Sequence, residues 1–304
     1  MYGRAVAPGA GTVVNALATG RGSAFALDIE TTATVVLEPT ADVVDGEIAA
    51  APDGDTSLIE RCVERVVAAF GDDEGGRVRT TSEIPTAAGL KSSSAAANAT
   101  VLAALAALDV TVGPDGTVSA ADACRLGVEA ARDAGVTVTG AFDDASASML
   151  GGVTVTDNET DELLRQTAFD HDAVVWTPPE RAYSADTDTA ACEQVAPMAT
   201  HAAELALDSK VETAMTVNGL AFSAALGYPT EPAVEAMPHC AGVSLSGTGP
   251  SVVAVGDSDG GLDRVATRWR EREGSVRETT TRDAGARVTA RGDGAPPSDW
   301  TLSR

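Results

Sequence analysis

The stretch Pro85-Thr86-Ala87-Ala88-Gly89-Leu90-Lys91-Ser92-Ser93-Ser94-Ala95 narrows what this chain can be more than any other segment. Gly89 allows a close approach of backbone to a ligand. The serines stand where an Ala-rich helix begins and runs to about Leu108. Unpaired main-chain N–H groups and the positive end of the helix dipole therefore face the loop. The hydroxyls of Ser92, Ser93 and Ser94 are suited to phosphate oxygens or a magnesium ion. Ala95, Ala96, Ala97 and Ala99 keep the first turns slim, so the helix end can sit close to its neighbours. An ordinary Ser-capped helix after a turn is the plain alternative, and it gives three consecutive serines no purpose. The phosphate loop of pattern G-x-x-x-x-G-K-[ST] is absent.

The chain has 304 residues, 44% of them hydrophobic, which suits one large domain or two modest ones around a real core. The formal net charge is −24. That field repels nucleic acid and anionic membrane, so neither is expected as a partner. A polyanionic ligand must be held by local main-chain donors, a few basic groups and a divalent cation. Two lysines, Lys91 and Lys210, stand against nineteen arginines. An acidic, lysine-poor surface fits a high-salt cytoplasm, where salt screens self-repulsion; an acidic binding face is the rival reading. No apolar run approaches the roughly 18 residues of a membrane helix. The start, Met1-Tyr2-Gly3-Arg4, has no charged region followed by an apolar stretch, so a cytoplasmic location is expected. Cys62, Cys124, Cys192 and Cys240 form no C-x-x-C pair, and His171, His201 and His239 do not flank them at zinc spacing. Buried free thiols are expected.

Residues 12–37 read as β-rich. Leu58, Ile59, Cys62, Val63, Val66, Val67 and Phe70 recur at helical spacing and predict a helix over 57–70. A strand is expected near 77–82 and another at 153–156. Ser119 with Asp122 resembles a capping box for a helix over 120–134. The polar acidic stretch 157–161 marks an expected boundary between domains 1–156 and 157–304. The second half predicts strands at 173–176, 243–245 and 252–255, helices near 190–207, 209–226 and 262–273, and two short closing strands near 276–281 and 287–290. A Gly- and Pro-rich tail from about residue 292 should fray.

Three further segments carry weaker signals. Leu245-Ser246-Gly247-Thr248-Gly249-Pro250-Ser251 reads equally as an anion-binding backbone nest or a tight turn between strands. Pro8-Gly9-Ala10-Gly11-Thr12 by itself reads more readily as a structural turn. Gly140 to Gly152 holds adjacent acids, Asp143 and Asp144, among small residues. A carboxylate there could orient or deprotonate an acceptor hydroxyl, and a solvated acidic loop is the equal alternative.

Together, in this order, these segments resemble the GHMP kinases, the superfamily of galactokinase, homoserine kinase and mevalonate kinase. Its three motifs match residues 7–14, 85–95 and 245–252, and its catalytic segment matches 140–152, so the resemblance spans nearly the whole chain. Gly11-Thr12-Val13-Val14-Asn15-Ala16, the run from Ala18 through Leu27, Gly89–Ser94 and Gly140–Ala145 look like the archaeal shikimate kinases. The resemblance implies an α+β fold. The N-terminal domain would be like domain 2 of ribosomal protein S5, with a left-handed β-α-β unit, and the C-terminal domain ferredoxin-like. It implies ATP and Mg2+ as cofactors and shikimate as the small-molecule partner, with no oligomeric state specified. Homoserine, pantoate or mevalonate as acceptor, and a non-catalytic nucleotide-binding protein on the same scaffold, remain alternatives.

By the same resemblance, Pro85, Ala87, Ala88, Gly89, Leu90, Lys91, Ser92, Ser93, Ser94 and Ala95 form the nucleotide-phosphate site. Ser93 and Glu129 would hold the metal, and Asp144 falls on the catalytic aspartate with Asp143 beside it. Where galactokinase and mevalonate kinase carry Arg or Lys after the first Pro-Gly, this chain has Ala10. Lys91 is the natural substitute. Substrate contacts are expected from Asn15, Arg21, Ser23, Asp143, Gly247, Thr248 and Gly249. Arg21 is the first candidate for a bidentate hold on a carboxylate, with Lys210 and Asn218 behind it.

Overall fold

The structure is a computed structural model that describes residues 1–137, 140–182, 187–257 and 260–293. Most of the expected frayed tail lies outside the described residues. The first half is built on a seven-stranded sheet. Strand β1 (Tyr2–Val14) runs antiparallel to β2 (Arg21–Glu38) over nearly its whole length. The two ends of β2 serve different partners: Arg21–Phe25 pairs with β5 (Val153–Asp157) and Thr31–Glu38 with β4 (Gly75–Ser82). β3 (Val44–Ile48) pairs parallel with β4 across helix α1 (Ser57–Phe70), a β-α-β unit.

Pro8-Gly9-Ala10-Gly11-Thr12 is not a turn. It is the middle of β1, with a register shift between Pro8 and Gly9. Gly and Pro suggest a turn locally, yet the long partner β2 holds the segment extended. Helix α1 follows its apolar stripe, burying Leu58, Ile59, Cys62, Val63, Val66 and Val67. Helix α2 (Ser92–Ala107) is buried on almost every face and lies between β1 and β2 on one side and α1 and α3 (Ala120–Asp133) on the other. Alanine suits that place, because a slim helix can pack against a sheet and two helices at once. Ser119 caps α3 by accepting from Asp122 N at 3.1 Å, as its spacing predicts. Helix α4 (Phe142–Leu150) packs against β2 and precedes β5.

Residues 157–161 form the turn from β5 to β6 (Glu162–Thr167), a hairpin within the large sheet. Strand β7 (Asp172–Thr177) opens the second sheet. Helices α5 (Thr189–Glu193), α6 (Ala196–Leu207), α7 (Val211–Ala225) and α8 (Glu231–Ala236) follow, then β8 (Gly242–Leu245), β9 (Val252–Gly256), α9 (Gly261–Trp269) and β10 (Ser275–Thr280). The single helix read over 190–207 is two, divided at residues 194–195, with Pro197 in the first turn of α6. The sheet order is β10-β7-β9-β8 with every neighbour antiparallel. In chain order that is fourth, first, third, second, with α7 and α9 as the crossovers: the ferredoxin-like β-α-β-β-α-β arrangement. The last strand, β11 (Arg287–Gly292), returns to pair with β1 in the large sheet.

One apolar core runs from α1, α2 and the large sheet into α6, α7 and Val253 and Val255 of β9. A second fills the outer face of the small sheet around Trp269, which is fully buried and donates from Nε1 to Pro232 O at 3.1 Å. Truncating such a tryptophan costs about 3–5 kcal/mol. All four cysteines are free thiols, three of them buried. Among the described residues no helix is long and apolar enough to cross a membrane.

Candidate active site

Three segments far apart in sequence are sewn together at the start of α2. Ser246 Oγ donates to Gly89 O at 2.8 Å, and Ala10 N donates to Leu90 O at 3.2 Å. Gly247 N donates to Thr12 Oγ1 at 2.7 Å, and Asn15 Nδ2 donates to Gly247 O at 2.9 Å. Gly89 has φ +77, and a Cβ there would overlap the Ser246 carbonyl oxygen. Only glycine takes that backbone and that proximity without strain.

Lys91 precedes α2 in a left-handed conformation, φ 64 and ψ 36, and offers no side-chain cap. Ala95 N bonds back to Lys91 O at 3.0 Å, so the N–H groups of Ser92, Ser93 and Ser94 are the unpaired ones of the first turn. They point toward an open cleft with the helix dipole behind them. Ala87, at φ 55, and Ala141, at φ 52, share this uncommon backbone and also line the cleft. Non-glycine residues in that region store strain, and such strain gathers at functional sites.

Ala141 starts α4, whose first turn carries Asp143 and Asp144. Asp144 Oδ1 lies 2.8 Å from Lys91 Nζ, with the two side chains 17% and 7% exposed. Lys91 lies across Gly247: a Cβ at Gly247 would stand 2.8 Å from Nζ. Asp143 is buried, and its carboxyl is pushed up to about 7. Loss of hydration is the main cause and the charge of Asp144 the second; Lys91 and hydrogen bonds pull the other way.

The cleft has a volume of about 990 Å³, at the upper end of small-molecule sites and ample for a nucleotide and a second small ligand. Pro85, Ala87, Ala88, Gly89, Lys91, Ser92, Ser93, Ser94, Asn15, Asp143, Asp144, Gly247 and Thr248 all line it. Leu90 and Ala95 are buried behind the loop. Gly249 packs against the Tyr228 ring. Asn218 accepts from Asn15 N at 2.8 Å and supports that residue from behind.

Other expected residues lie elsewhere. Arg21 is exposed at the start of β2 and does not line the cleft, because the Gly-rich run it belongs to is a strand rather than a binding loop. Ser23 is buried within the same strand. Lys210 is exposed before α7, 3.9 Å from Asp208. Glu129 is exposed and paired with Arg65 of α1. Helical geometry explains this: α3 turns Gly127, Val128 and Ala131 toward the cleft, and Glu129 falls on another face.

Sequence reasoning missed Arg181. It follows β7 and Pro178-Pro179, in a segment tied to the 85–91 loop by Ala182 N donating to Ala87 O at 3.1 Å. Among the described residues lining the cleft, Lys91 and Arg181 are the only cations, against Asp55, Glu83, Asp143, Asp144 and Glu180. Nothing local marks Arg181; only the fold brings it there. Among the described residues no group of three His, Cys, Asp or Glu side chains could hold a metal ion. Magnesium needs no such cage, since it keeps waters and takes phosphate oxygens with one or two protein ligands. Ser93, exposed into the cleft from the first turn of α2, fits that role.

Comparison with known proteins places the chain among related folds and sequences. Residues 57–152 match the GHMP kinases N terminal domain. The homoserine kinase of Cytophaga hutchinsonii superposes with a TM-score of 0.73 at 15% identity, covering 95% of this chain and 97% of that one. The galactokinase of Lactococcus lactis, solved with galactose, gives 0.71 at 16% identity, covering 94% and 95%. These likenesses define the GHMP kinase fold. The shikimate kinase of Halobacterium salinarum is 66% identical over 95% of this chain and 100% of that protein. That of Methanosarcina mazei is 46% identical over 94% and 96%. The chain belongs to the shikimate kinase family of archaeal type.

Proposed function

We propose that this chain transfers the γ-phosphoryl group of ATP to a hydroxyl of shikimate, giving shikimate 3-phosphate and ADP in the cytoplasm. The observation that carries the reading is the Lys91–Asp144 pair, set where the N-termini of α2 and α4 face one cleft. The Gly89 backbone and the open N–H groups of Ser92, Ser93 and Ser94 cradle the phosphates. Magnesium, held by Ser93 Oγ and phosphate oxygens, would offset charge in a cleft with few cations. Asp144 orients the acceptor hydroxyl and takes its proton as the new O–P bond forms and the bond between the γ-phosphorus and the β,γ-bridging oxygen breaks. Lys91 offsets the charge that develops on the transferring group, replacing the basic residue absent at Ala10.

The carboxylate of shikimate needs a cation of its own. Lys91 is committed to Asp144, which leaves Arg181 on the cleft wall as the partner. The test is ADP release in high salt with magnesium over a panel of shikimate, homoserine, pantoate and mevalonate. Turnover with shikimate alone is expected; turnover with another acceptor and none with shikimate overturns the reading.

A further inference from the structure

Helix α4 presents the proposed base yet has no side-chain cap of its own, since Ala141 stands at its N-cap. Uncapped first-turn N–H groups buried in a protein need a partner from elsewhere. Asn158, just past the end of β5, is that partner. Asp143 N donates to Asn158 Oδ1 at 3.1 Å, and Asn158 Nδ2 donates back to Asp143 Oδ1 at 2.7 Å. Asn158 is itself held. Thr156 Oγ1 donates to its Oδ1 at 2.8 Å, and its main-chain N donates to Gly20 O at 2.8 Å. With the donors Asp143 N and Thr156 Oγ1 on Oδ1 and a carboxylate on Nδ2, the amide can sit one way round only. On the other side, a Cβ at Gly22 of β2 would overlap the Asp143 side chain, so that side chain is clamped between Gly22 and Asn158. Asn158, Asp143 and Thr156 are all buried, at 4%, 5% and 0% exposure. A buried polar network with its groups paired is rigid.

We propose that Asn158 is a positioning residue for phosphoryl transfer: its amide grips the backbone and carboxylate of Asp143 and so fixes where the next residue, Asp144, meets Lys91 and the acceptor hydroxyl. Asn158 does not line the cleft. It acts through Asp143. A misplacement of the reacting group by about 1 Å can cost on the order of 100-fold in rate. The inference rests on the phosphoryl-transfer reading. Failure of that reading would show in the unaltered chain as no shikimate-dependent ADP release, whereas failure of this inference shows only in the variants.

The experiment is steady-state kinetics of Asn158→Ala with ATP, magnesium and shikimate in high salt. The expected result is a fall in kcat of about 30- to 100-fold with both KM values within about twofold of the unaltered chain. In an Asp143→Ala background, Asn158→Ala should cost less than about threefold more, because its route to the site is already gone. The inference is overturned by a kcat within about threefold of the unaltered chain, by a KM for ATP that rises in step with the loss, or by two full effects that multiply. Asn158→Ser, which keeps a small polar group and drops the amide donor, is read by the same outcomes if Asn158→Ala does not fold.

Discussion

Lys91 Nζ lies 2.8 Å from Asp144 Oδ1, joining the N-cap of α2 to the first turn of α4. Neither residue has a conventional setting. Lys91 holds a left-handed backbone before α2, and Asp144 follows a left-handed Ala141 before α4. A largely buried ion pair contributes little net stability once both charges are desolvated. Its value here is geometric, placing a carboxylate and a cation beside the same open helix end.

Gly89→Ala tests the loop that supports this geometry. The new Cβ would overlap the Ser246 carbonyl oxygen at a backbone of φ +77. The expected cost is about 1–3 kcal/mol of stability, read as a lower Tm, together with at least a tenfold rise in KM for ATP. An unchanged KM for ATP would contradict the role given to this turn.

Asp143→Asn tests the buried acid. The folded chain holds the Asp143 proton up to about 7, while an ordinary aspartate loses it near 3.8. Between those pH values the folded state binds more protons than the unfolded state, so this group makes stability fall as pH rises. The variant should therefore melt above the unaltered chain at pH 8, and the difference should vanish near pH 4. An equal difference at both pH values would show that the burial of charge is not the cause.

Arg181→Ala tests the acceptor site. A hydrogen-bonded charge contributes about 1.5–3 kcal/mol, so KM for shikimate should rise about 10- to 100-fold with KM for ATP within about twofold. A rise in KM for ATP instead would assign Arg181 to the phosphates.

The net charge of −24 predicts a salt requirement. Salt shortens the range of repulsion from about 10 Å at 0.1 M to about 3 Å at 1 M. Tm should climb with KCl over this range, and a neutral osmolality-matched solute should not reproduce the whole effect. A Tm that is flat or falls with KCl would reject the solvent reading of the surface.

Much of this fold was legible in the sequence because its signals are local. The apolar stripe at Leu58, Ile59, Cys62, Val63, Val66 and Val67 depends on nothing beyond α1, and Ser119 caps α3 from within its own turn. The turn before α2 was legible because the close approach at Gly89 and the open turn at Ser92–Ser94 both need particular residues. What was illegible depends on partners. Pro8–Thr12 is extended because β2 lies beside it. Glu129 looked suitable by order along the chain, but α3 rotates it toward Arg65. Arg181 and Asn158 carry no motif, since one reaches the cleft from the second sheet and the other acts from behind α4.

Asp144→Asn keeps the shape of the side chain and removes the proton acceptor, so it addresses the central claim most directly. Nucleotide affinity and shikimate-dependent ADP release would be measured on the same preparation. The expected result is ATP binding within about twofold of the unaltered chain and a kcat reduced by about 100- to 10,000-fold. A kcat within a few-fold of the unaltered chain, with ATP binding retained, would contradict the account.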